Sequence, residues 1–274
     1  MRKNAFFVIA LSILTITACD KSASNLEPST TTSTTTTNNL GNTTTTTTTT
    51  TGSSSSSVDI SILKSKFGSN VTVSVDGDYL VIKSNGVPDH KSPYFKGTTW
   101  ESSLYEAYNG TAKFSQNPNV IKSQNLTFRI PLKPQEASTK SATSGGPIGV
   151  AINGVPFFNQ YAAMNAPLTN EIFSFDQYNG HPQQQGQYHY HVEPTAITKA
   201  KGKTAFLGLL LDGFPVYGPT ENGKTVSNTD LDKYHGHSHA TAEFPNGIYH
   251  YHVTDADPYI NGSGYFGVKG TVTQ

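Results

Sequence analysis

The chain has a single cysteine, Cys19, among 274 residues. If that thiol is committed elsewhere, the remainder has no disulfide, no thiolate metal ligand and no cysteine nucleophile. Methionine is almost as scarce, Met164 being the only one after the initiator. A Cu(I) carrier normally presents soft sulfur ligands and is disfavoured, and a blue-copper centre needs a cysteine and is excluded. Charged side chains make up only 14% of residues, 19 basic balanced by 19 acidic. No basic cluster stands out, which argues against nucleic acid as a partner. No apolar run reaches the roughly 20 residues of a membrane-spanning helix. Gly-x-Ser-x-Gly, His-Glu-x-x-His and the phosphate-binding loop are also absent.

What is present begins with MRKNAFFVIALSILTITAC, in which Arg2 and Lys3 precede an apolar run and then small residues before Cys19. That is the plan of a secretory signal peptide over residues 1–19. Ile16-Thr17-Ala18-Cys19 resembles a bacterial lipobox. The resemblance implies a lipid on Cys19 and a membrane partner through that anchor. It also implies a place at the bacterial cell envelope, facing the periplasm or the cell surface. Residues 20–57 are dominated by threonine and serine. Such a segment buries too little apolar surface to offset ordering, so a disordered tether spanning about 35 Å is expected.

The folded part is expected over residues 58–274, as one mainly β domain, sandwich- or barrel-like, with few short helices. VTVSVDGDYLVIKS (71–84) alternates apolar and polar residues around Asp76-Gly77-Asp78, a hairpin signal. NLTFRIPL (125–132) alternates too, and IGVAINGVPFF (148–158) and FLGLLLDGFPVYG (206–218) read as strand, turn, strand. Residues 61–68 and 102–110 are short-helix candidates.

Within this region lies a degenerate repeat, near 148–192 and again near 206–253. NGVPFFNQY (153–161) matches DGFPVYGPT (212–220), DQYNGHP (176–182) matches DKYHGHS (232–238), and GQYHYHV (186–192) matches GIYHYHV (247–253). The blocks keep their order in both halves, which points to tandem duplication. Two such halves are expected to pack about a pseudo-two-fold axis. The paired Tyr-His-Tyr-His blocks, with NGVPFFN, YNGHP and LLLDGFPVYG around them, resemble the YHYH domain family of exported bacterial proteins. SNGVPDHKSPYF (84–95) resembles the segment near the start of that domain. The resemblance supplies a domain from about Val71 to Gly270 but no activity. The family pattern carries cysteines that this chain replaces, with Tyr178, Tyr234 and Tyr265 standing in their places.

The chemistry is carried by histidine. On a strand, side chains alternate faces. His189 and His191 therefore share one face and Tyr188 and Tyr190 the other; His250 and His252 are likewise set against Tyr249 and Tyr251. A His-x-His pair suits two ligands of one ion, and imidazole favours zinc or copper. The two pairs supply either four imidazoles to one site or two to each of two sites. His181, His237 and His90 are further candidate ligands. His235 and His239 have no match in the first copy and read as local variation. Asp176, Asp212, Asp232 and Glu193 are interleaved, and each is placed to orient an imidazole by accepting its other N–H. The tyrosines read as core, and the Asn-Gly and Asp-Gly pairs as turns.

Three classes of function follow. The first is a metal-binding module at the envelope. The second is a metal-dependent enzyme, a hydrolase or oxidase, which needs an open coordination position and a nearby base such as Asp212, Asp232 or Glu193. The third is a structural or adhesive surface module without an ion, whose histidines form a hydrogen-bond network and whose aromatics meet a glycan or protein. The sequence favours the first.

Overall fold

The computed structural model describes residues 30–37, 43–50 and 59–274. The expected signal peptide, Cys19 and the rest of the expected tether lie outside the described residues. Strands β1 (Thr30–Thr37) and β2 (Thr43–Thr50) pair antiparallel. This differs from the expectation of a coil in those two segments. Threonine is β-branched and prefers extended backbone, which suits the pairing.

The second unit opens with helix α1 (Ile60–Lys66), capped by the Asp59 carboxylate, which accepts the Ser61 N–H at 2.8 Å. Strands β3 (Val71–Asp76) and β4 (Tyr79–Ser84) form the expected hairpin, with Gly77 at φ +57° in its turn. A four-residue helix α2 (Glu101–Leu104) follows, then β5 (Leu126–Pro131). On β5, Leu126, Phe128 and Ile130 point inward and are fully buried. With β16 (Thr271–Thr273) these strands make an antiparallel sheet in the order β16-β5-β4-β3.

The duplicated region forms a second sheet. Its first copy contributes β6 (Gly149–Ala151), β7 (Pro156–Phe157), β8 (Gly180–Pro182) and β9 (Tyr188–Tyr190). A helix that the sequence did not announce, α3 (Thr195–Lys201), links it to the second copy. That copy contributes β10 (Phe206–Leu210), β11 (Pro215–Tyr217), β14 (Gly236–His239) and β15 (Ile248–His252). Between β11 and β14 lies a small ribbon of β12 (Thr220–Glu221) and β13 (Lys224–Thr225). The strand order is β14-β15-β11-β10-β6-β7-β9-β8.

That order is the same read from either edge once each strand is replaced by its repeat counterpart. The centre is the antiparallel pair β6–β10, where Val150 faces Leu209. These two residues occupy the same place in their copies, so each meets its counterpart on the axis. In each half the last Tyr-His strand adds in parallel, β9 on β7 and β15 on β11. The Gly-His strand then pairs antiparallel outside it. The sheet does not close, because each half ends outward on its own Gly-His strand. A mainly β fold is correct, whereas the barrel-like alternative is not. Buried side chains of both sheets form one continuous cluster that includes Ile82, Phe128, Val150, Phe157, Leu209, Val216, Tyr190 and Tyr251.

Candidate metal centres

The recurring blocks build the same local device twice. In the first copy, Asp176 accepts the Tyr188 hydroxyl at 2.8 Å and its own turn's Tyr178 N–H at 2.8 Å. In the second, Asp232 accepts the Tyr249 hydroxyl at 2.9 Å and the Tyr234 N–H at 2.8 Å. The Gly of each Gly-His block lies under that tyrosine ring. A Cβ on Gly180 would come within 2.4 Å of Tyr188, and one on Gly236 within 2.5 Å of Tyr249. The second tyrosine of each strand reaches the turn. Tyr190 accepts from the Asn153 amide at 3.1 Å, and Tyr251 donates to Asp212 at 2.6 Å. The tyrosine face is thus a fixed packing surface, and the histidines are turned to the other side.

In the first copy His181, His189 and His191 converge. Their Nε2 atoms lie 3.0 Å (His181 to His189) and 2.9 Å (His189 to His191) apart. Each Nδ1 is occupied behind. That of His189 meets the Gln187 carbonyl at 3.0 Å and that of His191 the Asn159 carbonyl at 2.5 Å. The His181 Nδ1 meets Ser174 Oγ at 2.7 Å, and Ser174 donates its own proton to the Glu171 carbonyl. A carbonyl only accepts, so His189 and His191 carry their protons on Nδ1 and turn their Nε2 lone pairs into one space, which the His181 Nε2 also faces. Phe158 stacks on His189 with centroids 3.9 Å apart, and Phe175 lies edge-on to His181. Burial holds His181 and His189 well below the usual imidazole range and lowers His191 to about 4.

The second copy gathers His237, His250 and His252 with Glu221. His250 Nδ1 donates to the Ile248 carbonyl at 3.0 Å and His252 Nδ1 to the Gly218 carbonyl at 2.8 Å. Ile248 and Gly218 are the repeat counterparts of Gln187 and Asn159, so the second-nitrogen contacts are themselves duplicated. The Nε2 atoms of His250 and His252 are buried without a hydrogen-bond partner. Glu221 Oε1 sits 3.6 Å and 3.4 Å from them, and its Oε2 lies 3.5 Å from His237 Nε2. His239 joins the rim, 2.8 Å from Glu221 and 3.1 Å from His237. Burial lowers His250 to about 3 and also lowers His252 and His237. The surrounding imidazoles hold Glu221 below the usual carboxylate value against the opposing effect of burial.

Six of the expected ligands therefore fall into two groups of three, one in each half. The strands carrying them, β9 and β15, are five strand spacings apart, about 24 Å at the usual ~4.8 Å. One shared four-histidine site is thus excluded. His90 stands apart from both groups, on the tyrosine side, with Nε2 2.8 Å from the Tyr190 hydroxyl. The four expected orienting carboxylates do not hold the converging imidazoles. Asp176, Asp232 and Asp212 bind tyrosines, and Glu193 binds Thr198 and Lys203. The reason is the period of two: the turn carboxylates lie on the tyrosine face, and backbone carbonyls take their place behind the histidines. His235 supports the fold, at φ +73° like its counterpart Asn179 at +65°, with Nε2 3.1 Å from Thr254 Oγ1.

Sequence reasoning missed Glu221 and Glu171 and gave His239 no role. Glu221 lies in a stretch between repeat blocks, where no matched partner marks it. The acceptor carbonyls have no residue-type signature at all.

A duplicated β domain with an imidazole cluster in each half is the class that fold and site define. The chain belongs to the YHYH family: the family model described as YHYH protein matches residues 127–227 and 220–263, together half of its length. No curated protein and no solved structure matches it.

Proposed function

We propose that this YHYH protein is a lipid-anchored envelope protein that binds two divalent transition-metal ions, zinc or copper, one in each half. The observation that carries the reading is the convergence, in each His-x-His pair, of Nε2 lone pairs whose Nδ1 protons are committed to carbonyls. Two neutral imidazoles in that tautomer cannot hydrogen-bond to each other through Nε2. An imidazolium would relieve the conflict, but burial disfavours it at neutral pH. A cation satisfies all the lone pairs at once. A tetrahedral ion with bonds of 2.0–2.1 Å needs ligand nitrogens roughly 3.3 Å apart, so the separations of 2.9 and 3.0 Å need only a small opening. Nitrogen donors suit zinc and copper rather than calcium or magnesium. The purely structural reading is weaker, because a hydrogen-bond network would leave His250 and His252 unsatisfied at a cost of about 1–3 kcal/mol per group.

The test is metal content after equilibration with Zn(II) or Cu(II) and removal of excess. Two equivalents per chain are expected, falling to one in His189→Ala/His191→Ala and to one in His250→Ala/His252→Ala. A chain that retains no ion sinks the metal reading. The anchor is checked on the same material: Cys19→Ser should move the protein from the membrane fraction to the soluble one, and continued membrane association would refute lipidation at that residue.

A further inference from the structure

The two centres differ in what stands at the fourth position. In the second, Glu221 presents a carboxylate within 4.8 Å of all three histidine ligand atoms. In the first, no carboxylate among the described residues joins the three histidines at that distance. Glu171 lies off to one side, its Oε1 3.4 Å from His181 Nε2.

The first centre instead borders a cavity of about 380 Å³, whose wall includes Glu171, Gln187, His189, His191 and Phe158. Gln187 is fully buried, and both its Oε1 and Nε2 lack a hydrogen-bond partner. It precedes His189 and His191 at intervals of two along the chain, so its side chain belongs to the imidazole face. Its counterpart in the second copy is Ile248, also buried. The fold therefore does not require an amide at this place. A buried carboxamide with neither donor nor acceptor used is costly, about 1–3 kcal/mol for each unpaired group. It becomes intelligible if its partner arrives with a ligand. The second centre also borders a cavity, of about 600 Å³, but there Glu221 and His239 line it beside His252.

We infer that the centres are not equivalent: the His181–His189–His191 centre keeps a coordination position open to a small oxygen-donor ligand received by Gln187, and Glu221 closes the other centre. This rests on the two-ion reading. The ligand class is water, hydroxide or a small molecule that coordinates through oxygen and can both donate and accept a hydrogen bond. Nε2 of Gln187 donates to the bound atom, Oε1 accepts from its proton, and Glu171 lies on the same cavity wall. The first centre is thus the place where exchange or chemistry occurs, and the second holds its ion.

Azide tests this, because it coordinates Cu(II) only where a position is open and gives a charge-transfer band when it does. With two Cu(II) bound, one azide per chain is expected. The band should persist in His250→Ala/His252→Ala and vanish in His189→Ala/His191→Ala. Gln187→Ile, which installs the second copy's own residue, should keep both coppers and weaken azide binding about tenfold, as loss of one hydrogen bond to a charged ligand implies. Gln187→Met serves if the branched side chain does not pack. Glu221→Ala, at a partly exposed site, should create a second azide band. Two coppers with azide on the second centre, on both or on neither overturn the inference and leave the two-ion reading intact. So does unchanged azide affinity in a Gln187 variant that keeps both coppers. A chain that takes up no copper overturns both.

Discussion

A histidine buried away from water resists a second proton even where a carbonyl accepting from its Nδ1 favours the charged form. In this protein burial depresses His191 to about 4 and His250 to about 3 from an ordinary value of 6.5. The folded chain therefore binds fewer protons than the unfolded chain between those values, and the stability they contribute is present above pH 6.5 and lost as pH falls toward 4. A shift of that size corresponds to roughly 3 kcal/mol for one fully buried group. Asp212 works in the opposite sense, its carboxyl pushed up to about 6 by burial, so its contribution is lost as pH rises from about 4 to 6. Burial raises Asp176 and Glu171 in the same sense as Asp212, but the seven imidazoles it lowers outnumber these three carboxyls and set the net direction. The metal-free protein should unfold at lower urea at pH 5 than at pH 7.5, and His191→Gln/His250→Gln should flatten the difference. An unchanged urea midpoint in the parent would show that these imidazoles protonate freely in the fold. At this scale the alternation of Tyr-His-Tyr-His marked its four histidines, and the matched Gly-His blocks marked His181 and His237. It could not mark Gln187, whose meaning is an unpaired amide in a wall.

Elements in this molecule are short, and glycine sets how closely they approach. Gly149 and Gly208 are repeat counterparts on the central pair of strands. A Cβ on Gly208 would lie 2.1 Å from the Val150 carbonyl oxygen, and one on Gly149 2.4 Å from that of Leu209. Neither obstacle is a flexible side-chain end, so the strands themselves must separate. Gly208→Ala should destabilise the protein by about 3 kcal/mol or more, in the range of severe overpacking. Gly77→Ala has open space around it and pays only for its left-handed φ, about 1 kcal/mol. Thermal unfolding of the two variants side by side checks this, and equal melting temperatures would refute the close approach. The strands of the hairpins at 71–84, 148–158 and 206–218 were legible from alternation and turn residues. The parallel additions of β9 to β7 and β15 to β11 were not, because parallel pairing is made by residues distant in sequence and leaves no turn between them.

Over the whole molecule the duplication does two things. It builds the eight-stranded sheet from two four-stranded halves, and it places the imidazole groups toward opposite ends of that sheet. With about 24 Å between the strands that carry them, and no residue common to both groups, ions taken up at the two proposed centres should bind without influencing each other. Calorimetric titration of the second centre in His189→Ala/His191→Ala should reproduce the affinity that it shows in the parent chain. A shift beyond threefold would mean that the halves are coupled through the β6–β10 junction.

The sequence by itself determined the β class, the order of the matched blocks and the separation of tyrosines from histidines. All three follow from local periodicity and from comparison of one half with the other. Tertiary structure alone decided that the histidines form two groups rather than one, that Glu221 belongs to the second group, and that backbone carbonyls rather than Asp176, Asp212, Asp232 or Glu193 lie behind the imidazoles. The physical reason is that sheet order fixes these distances. Two identical strands can meet at the axis or stand at opposite ends of a sheet without a change in their own residues. Here the β6–β10 pair took the axis and moved the Tyr-His-Tyr-His strands apart.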